Sequence, residues 1–143
     1  MIMGVGVDVV DIARFTRAAE RTPSLTERLF TPAERERSIT SQAGLFAAKE
    51  ALIKALGGSG RMTWHEIEVQ HSPEGAPRFE LTGEAQARMA SKGVNHAHLS
   101  ISHDANVALA VVIAEGGIAA LTPDTVAEVM TQVVAGVQTG GHE

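Results

Sequence analysis

Two carboxylates and one lysine in the sequence are of the types that bind a metal ion and a phosphate group. Asp8 lies in a valine-rich segment near the N-terminus, and Glu50 and Lys54 lie one helical turn apart further along. If folding brings Asp8 and Glu50 together, the pair can bind a hard cation such as Mg²⁺ and leave coordination positions for water and phosphate oxygens. Lys54 can then contact a phosphate as a point charge. The alternative is an ordinary surface pair between Glu50 and Lys54, with Asp8 merely ending its strand.

The segment that carries Asp8 has the pattern of a short buried strand. Residues 3–10 are rich in valine, and strand alternation separates three valines from a face that carries two glycines and Asp8. Because Gly4 and Gly6 have no side chains, that face has space at which a ligand could approach the backbone.

The segment that carries Glu50 and Lys54 has a helical pattern over residues 42–56, and glycines 57 and 58 end it. Its core positions recur at helical spacing, so that Glu50 and Lys54 project together from a different face. This segment is the clearest helix that the sequence predicts.

Three arginines share one face of a second predicted helix, over residues 11–21. Arg14, Arg17 and Arg21 fall at i, i+3 and i+7 in a chain whose net charge is −5. A local cluster of positive charge in an acidic protein indicates a site for an acidic partner. The other interpretation is a solvated helix face that Glu20 partly balances.

The rest of residues 1–115 mixes strands and helices without a regular βαβ order, which predicts a single α+β domain. Strands are predicted at 64–70, 77–81, 97–103 and 106–114, and a helix is predicted at 83–92. The last two strands are expected to form a hairpin across Asp104 and Ala105.

The composition changes in the C-terminal extension, residues 116–143. Residues 115–143 contain four acidic residues and neither lysine nor arginine. A Thr-Pro-Asp start predicts an amphipathic helix over residues 123–138. Its apolar stripe consists of Val126, Val129, Met130, Val133, Val134 and Val137. This stripe must be buried against its own domain, a neighbouring subunit or an external partner.

Composition excludes several classes of function. The chain has no cysteine, which excludes a disulfide framework, a thiol nucleophile and thiolate zinc sites. Aromatic residues make up only 3%, which argues against a surface that stacks the bases of a nucleic acid. There is no run of 18 apolar residues and no basic signal-peptide region, so we expect a soluble cytoplasmic protein without a membrane anchor.

Three segments together resemble one known family. The strings GVGVDVVDI at 4–12, FAAKEALIKA at 46–55 and LSISH at 99–103 occur in the order and spacing of the holo-acyl-carrier-protein synthases. These are the small 4′-phosphopantetheinyl transferases. The resemblance covers about residues 2–115, and it implies the compact mixed α/β fold of that family in one domain.

The resemblance implies an activity and roles for the first three residues. Such enzymes move the 4′-phosphopantetheine arm of coenzyme A to a serine of an apo acyl carrier protein or carrier domain, releasing adenosine 3′,5′-bisphosphate. By resemblance, Asp8 and Glu50 are catalytic residues that bind Mg²⁺, which bridges to the diphosphate of the coenzyme. Glu50, directly or through a metal-bound water, is the candidate base for the serine hydroxyl. Lys54 would neutralise charge on the diphosphate.

The resemblance also implies binding partners and an assembly. Gly57, Pro77 and His103 match positions around the nucleotide of coenzyme A. The arginine face lies on the helix with which family members hold the acidic carrier. The family forms homotrimers with active sites between neighbouring subunits, so these residues need not converge within one chain.

Two departures from the family pattern and two alternative functions accompany this expectation. Leu45 stands where the family commonly has arginine, which removes a phosphate or interface contact, and residues 116–143 have no counterpart in compact family members. One alternative is a non-catalytic module that binds a nucleotide or carrier on the same fold. The other is a metal-dependent phosphohydrolase that uses water instead of serine.

Overall fold

The computed structural model describes residues 1–117, which form two antiparallel sheets and five helices around one apolar core. The strands are β1 (Ile2–Asp11), β2 (Ile67–His71), β3 (Pro77–Leu81), β4 (Val94–Asp104) and β5 (Val107–Gly116). The helices are α1 (Ile12–Arg21), α2 (Ser24–Leu29), α3 (Pro32–Arg35), α4 (Ile39–Ala55) and α5 (Gly83–Ser91). The expected mixed α and β architecture is confirmed, and the predicted helix over 123–138 lies outside the described residues.

The larger sheet has the strand order β1-β5-β4, and β2 pairs with β3 in a separate sheet. The hairpin predicted between the last two strands is confirmed, but its turn is one residue later than expected. Ala105 and Asn106 occupy it with φ of 46° and 64°. Two consecutive residues at positive φ are typical of the tight hairpin turn whose twist matches antiparallel strands, and asparagine tolerates that conformation.

Helix α4 packs its backbone directly on the glycine face of β1. A Cβ atom on Gly4 would overlap the carbonyl oxygen of Ala55, and one on Gly6 would overlap that of Ala51. The sequence therefore correctly predicted a close approach at these glycines, but the approaching group is α4. The expectation that a ligand occupies this space is wrong, since the helix fills it.

The opposite face of β1 is open to solvent. Val5, Val7 and Val9 are 57%, 44% and 53% exposed, and Ile113 beside Val5 on β5 is 37% exposed. We call these four residues the valine face. The expectation of a short buried strand is therefore wrong for this face of β1 within a single chain. A contiguous apolar patch of this kind marks an interaction surface.

Local capping explains two further differences from the predicted boundaries. Helix α4 begins at Ile39 rather than at residue 42 because the Ser38 hydroxyl accepts a hydrogen bond from the Ser41 amide at 3.2 Å. Residues 64–66 form a 3₁₀ turn rather than the start of a strand.

None of the helices in residues 1–117 is both long and apolar enough to cross a lipid bilayer.

A buried ion pair fixes α4 on the side away from the sheet. Lys49 and Glu34 are 0% and 2% exposed, and the Lys49 Nζ atom lies 2.7 Å from Glu34 Oε2. The same ammonium group donates to the carbonyl oxygens of Leu29 at 2.8 Å and Trp64 at 3.0 Å. Burial lowers the pKa of Lys49, although the hydrogen bond and charge of Glu34 oppose this shift. No local pattern in the sequence predicts this contact, because Glu34 and Lys49 lie on different helices.

The contact between β1 and α4 predicts a large effect for a single methyl group. We expect Gly6→Ala to destabilise the fold by about 2 kcal/mol or more, because the new Cβ meets helix backbone that cannot move independently. Gly117→Ala is the control, since a Cβ there has no neighbour within 4 Å. Denaturant unfolding of both variants measures the difference, and equal midpoints would refute the packing described here.

Candidate active site

The structure brings Asp8 and Lys54 into direct contact. Asp8 lies after the two glycines on the face of β1 that packs against α4. Its side chain is 16% exposed. The Lys54 ammonium group lies 2.7 Å from Asp8 Oδ1 and donates to the carbonyl oxygen of Val7 at 2.9 Å. Lys54 therefore pairs with Asp8, and the alternative surface pair with Glu50 is wrong for this structure.

Glu50 lies one turn before Lys54 in α4 and is partly buried. Burial raises the pKa of its carboxyl group, and the negative charge of Asp8 raises it further, while Lys54 opposes the shift. The two carboxylates are therefore close enough to repel each other. A cation placed between them would relieve that repulsion.

Asp8 and Glu50 open into a cleft of about 600 Å³ between β1, α1, α2 and α4. One wall is aromatic. The ring of Phe46 lies 5.8 Å from that of Phe15 and 5.6 Å from that of Trp64, measured between centroids. The cleft thus places two carboxylates beside an apolar wall that excludes water from part of the site.

The rim of this cleft is basic. Arg14 from α1 lines it, and Arg17 and Arg21 are exposed further along the same helix. The Asp11 carboxylate accepts a hydrogen bond from the Arg14 amide at 2.8 Å and so caps the N-terminus of this helix. Arg28 from α2 also lines the cleft. Sequence reasoning missed Arg28 because no motif or periodic spacing singles it out.

Within one chain, the remaining predicted site residues lie elsewhere. Pro77 and His103 line a second cleft, and Gly57 lines a third beside Lys54 and Lys92. The structure therefore brings together Asp8, Glu50 and Lys54, but none of Gly57, Pro77 and His103 lines the cleft of Asp8 and Glu50.

The second cleft has the chemistry of an anion site. Its volume is about 180 Å³, and its lining includes Arg37, two histidines and the hydroxyl residues Thr40 and Ser41 but no carboxylate. Burial lowers the pKa of His71, and the positive charge of Arg37 lowers it further. Leu45 also lines this cleft and is only 2% exposed. Sequence reasoning did not single out Arg37 or His71.

Asp8 and Glu50 suit Mg²⁺ better than they suit a metal ion whose ligands all come from the protein. Within residues 1–117, no third histidine, cysteine, aspartate or glutamate joins them to complete such a cage. Mg²⁺ usually retains several waters and takes one or two carboxylates together with substrate phosphates. A pair of mutually repelling carboxylates beside a lysine fits that requirement.

Comparison with known proteins identifies the family. The model of the 4′-phosphopantetheinyl transferase superfamily matches residues 4–112 of this chain. The chain belongs to this superfamily. It is 55% identical over 116 residues to a holo-[acyl-carrier-protein] synthase of Clavibacter sepedonicus, an alignment that covers 81% of this chain and 98% of the relative. The expected family is therefore confirmed.

Two solved structures from this family were obtained as complexes. The Helicobacter pylori holo-[acyl-carrier-protein] synthase with coenzyme A has a TM-score of 0.70 and 35% identity, covering 78% of this chain and 99% of that one. A Bacillus anthracis synthase in complex with CoA (3′,5′-ADP) has a TM-score of 0.67 and 30% identity, covering 82% and 99%. These structures share the fold of this chain.

The raised pKa of Glu50 predicts a pH-dependent gain in stability for Glu50→Gln. A carboxyl group with a raised folded-state pKa contributes stability below its ordinary pKa and loses it as the pH rises through the raised value. Without added metal, the variant should be more stable than the wild type at about pH 7, by less than about 1 kcal/mol because solvent screens the group. This gap should close toward about pH 4.

Denaturant unfolding at both pH values, with a chelator present, measures this difference. Glu36→Gln on the exposed surface of the protein is the control for loss of one negative charge. A Glu50→Gln variant that is less stable than the wild type at neutral pH would contradict the repulsion between Glu50 and Asp8.

Proposed function

We propose that this chain transfers the 4′-phosphopantetheine arm of coenzyme A to a serine of an apo acyl carrier protein and releases adenosine 3′,5′-bisphosphate. The observation that carries the proposal is that Asp8, which Lys54 contacts directly, lines a cleft with a basic rim together with Glu50, in a chain of this superfamily. The names of the relatives as holo-[acyl-carrier-protein] synthases and the coenzyme A complexes of two of them support the same substrates.

In this proposal, Asp8 and Glu50 would hold Mg²⁺, which when bound would stabilise negative charge on the diphosphate of coenzyme A. Lys54 adds a second positive charge at the same place. Its bonds to Asp8 and to the Val7 carbonyl oxygen fix the ammonium group between strand and helix, so little reorganisation is needed when an anionic substrate arrives.

Glu50 is the proposed general base. Its carboxylate is partly buried and lines the cleft together with Asp8, which places it where a carrier serine hydroxyl can approach. It accepts the proton of the carrier serine hydroxyl while the serine oxygen bonds to the phosphorus on the pantetheine side. The bond from that phosphorus to the bridging diphosphate oxygen breaks, and adenosine 3′,5′-bisphosphate leaves with the electron pair.

The second and third clefts are proposed to bind the nucleotide part of coenzyme A. Arg37, His71 and His103 surround a small cleft without a carboxylate, which suits a phosphate group. Gly57 lies in the third cleft beside Lys54 and Lys92, where its missing side chain leaves the backbone accessible. Leu45 also lines the second cleft but carries no charge. Arg37 supplies the positive charge there.

We also propose that the protein works as a homotrimer, with the valine face buried between subunits. That face is apolar and lies on the side of the larger sheet opposite α4. Assembly would remove it from water and bring Pro77 and His103 of one copy toward Asp8 and Glu50 of another. This explains how residues in separate clefts of one chain can serve a single substrate.

The experiment that tests the function is mass spectrometry of an apo acyl carrier protein after incubation with the protein, coenzyme A and Mg²⁺. The transferase predicts a mass gain of one phosphopantetheine on the carrier and release of adenosine 3′,5′-bisphosphate. Cleavage of coenzyme A without a modified carrier would identify a phosphohydrolase, and binding without either product would identify a non-catalytic module. Either result overturns the proposal.

The carboxylate pair predicts that Asp8→Asn and Glu50→Gln each abolish transfer without unfolding the protein. Losing one of two carboxylates should remove most of the Mg²⁺ affinity, about tenfold or more. Asp104→Asn, at the exposed end of β4, is the matched control and should keep full activity. Initial rates across a Mg²⁺ titration measure the effect, and a near-normal rate for either variant at ordinary Mg²⁺ would refute the metal assignment.

The arginine face predicts a salt-dependent loss of carrier binding. Reversing Arg17 and Arg21 to Glu should weaken carrier affinity about tenfold at low salt, mainly through slower association, while coenzyme A binding is spared. Arg14 is left intact because it also lines the cleft of Asp8 and Glu50. The charge-matched control reverses the exposed residues Arg61 and Arg78.

Association kinetics at low and high salt measure this effect, which should shrink as salt screens the charges. Equal carrier affinity for the two double variants would contradict a carrier site on α1.

A further inference from the structure

A groove between β3, α5 and β4 takes no part in the proposed transfer reaction. Its volume is about 430 Å³, and Phe79, Leu81, Met89 and Ala97 supply apolar side chains that are only partly buried. The residues of β3 and β4 that line it belong to different sheets, and no ladder of hydrogen bonds joins these two strands. The groove is therefore a gap between two sheet edges whose apolar walls remain partly open.

The described chain ends beside this groove. Gly116, the last residue of β5, pairs with Val94, which is the first residue of β4 and lines the groove. Gly116 and Ala97 lie on the helix side of the larger sheet, which also carries Ala114. The valine face lies on the other side. The chain beyond residue 117 thus starts at the groove and on its side of the sheet.

The sequence that follows is long enough and apolar enough to fill the groove. Residues 117–122 can span about 20 Å when extended, and a helix over 123–138 would be about 24 Å long. Six apolar residues recur along one side of that predicted helix, and such a short helix is marginal in water unless it buries them. The Clavibacter relative is matched over 98% of its length by 81% of this chain, so this segment has almost no counterpart there.

The groove also offers one cation to the acidic segment, although Glu80 lines it as well. Residues 118–143 contain Asp124, Glu128 and Glu143 but no lysine or arginine. Arg78 lies at the rim of the groove, and among the described residues its guanidinium contacts the Gln70 side chain at 3.2 Å but no carboxylate within 4.0 Å.

We propose that the segment 123–138 docks as a helix in the groove between β3, α5 and β4 of its own chain, with its apolar stripe against Phe79 and Met89. This inference is independent of the proposed transferase function. It assigns the extension to covering an open gap between two sheets rather than to chemistry.

Disulfide trapping in the full-length chain tests the proposal, because the native sequence has no cysteine to interfere. The test variant carries Gln86→Cys, on the groove side of α5, and Met130→Cys in the apolar stripe. The first control combines Met130→Cys with Ser91→Cys instead of Gln86→Cys. Ser91 lines a cleft on another side of α5. The second control combines Gln86→Cys with Gln132→Cys instead of Met130→Cys. Gln132 lies on the polar side of the predicted helix.

Docking predicts that the test pair forms an intramolecular disulfide at least about tenfold faster than either control, because the bond requires Cα atoms within about 7 Å. Equal rates for all three pairs, together with unchanged hydrogen exchange at the groove, would overturn the proposal. Disulfides that join two different chains would also overturn it and would identify a second copy as the occupant.

Hydrogen exchange keeps the test decisive if the docked register places Met130 away from Gln86. Truncation after Gly117 should accelerate amide exchange in residues 78–81 and 94–97 while leaving α1 unchanged. Unchanged exchange at these groove segments, together with equal trapping rates, would exclude docking in this groove. Transfer activity is not a readout of either experiment, so failure of the proposed function would not affect the result.

Discussion

The close packing of α4 on β1 is the constraint on which the candidate site depends. Gly4 and Gly6 let the helix backbone reach the strand at Ala55 and Ala51. Asp8 continues the same face of the strand, so it must also lie against the helix. Glu50 and Lys54 each precede one of the contacting alanines. The contact therefore aligns one carboxylate of the strand with a carboxylate and a lysine of the helix.

This arrangement places charges where they oppose stability. Glu50 is partly buried and is repelled by Asp8, which raises its pKa, and Lys54 compensates only in part. The rest of α4 supplies the required rigidity, because ten of its residues are buried. The Lys49–Glu34 pair fixes the helix from the other side, and breaking one partner of such a pair typically costs about 3–5 kcal/mol. The site is thus held by contacts that take no part in its chemistry.

The sequence predicts the elements better than it predicts their faces. Capping residues and periodicity located α1, α4, α5 and the hairpin, since these signals are local. Strand alternation separated the valines from the glycines of β1 but did not indicate which face packs against the helix. That choice depends on α4, about fifty residues away, and on whether other copies cover the valine face.

The same distinction applies to the site residues. Family motifs singled out Asp8, Glu50 and Lys54, and the structure brings these three together. No local pattern identified Arg28, Arg37 or His71, because each reaches its cleft through the packing of short segments rather than through spacing along the chain. The absence of a carboxylate from the second cleft is likewise visible only in three dimensions.

The proposed metal site at Asp8 and Glu50 depends on the contact between β1 and α4. Anomalous diffraction from crystals grown with coenzyme A, and with Mn²⁺ in place of Mg²⁺, tests it most directly. We expect an anomalous peak between the carboxylates of Asp8 and Glu50, next to the diphosphate. Bound coenzyme A with no peak at these carboxylates, or with a peak at other residues, would contradict it.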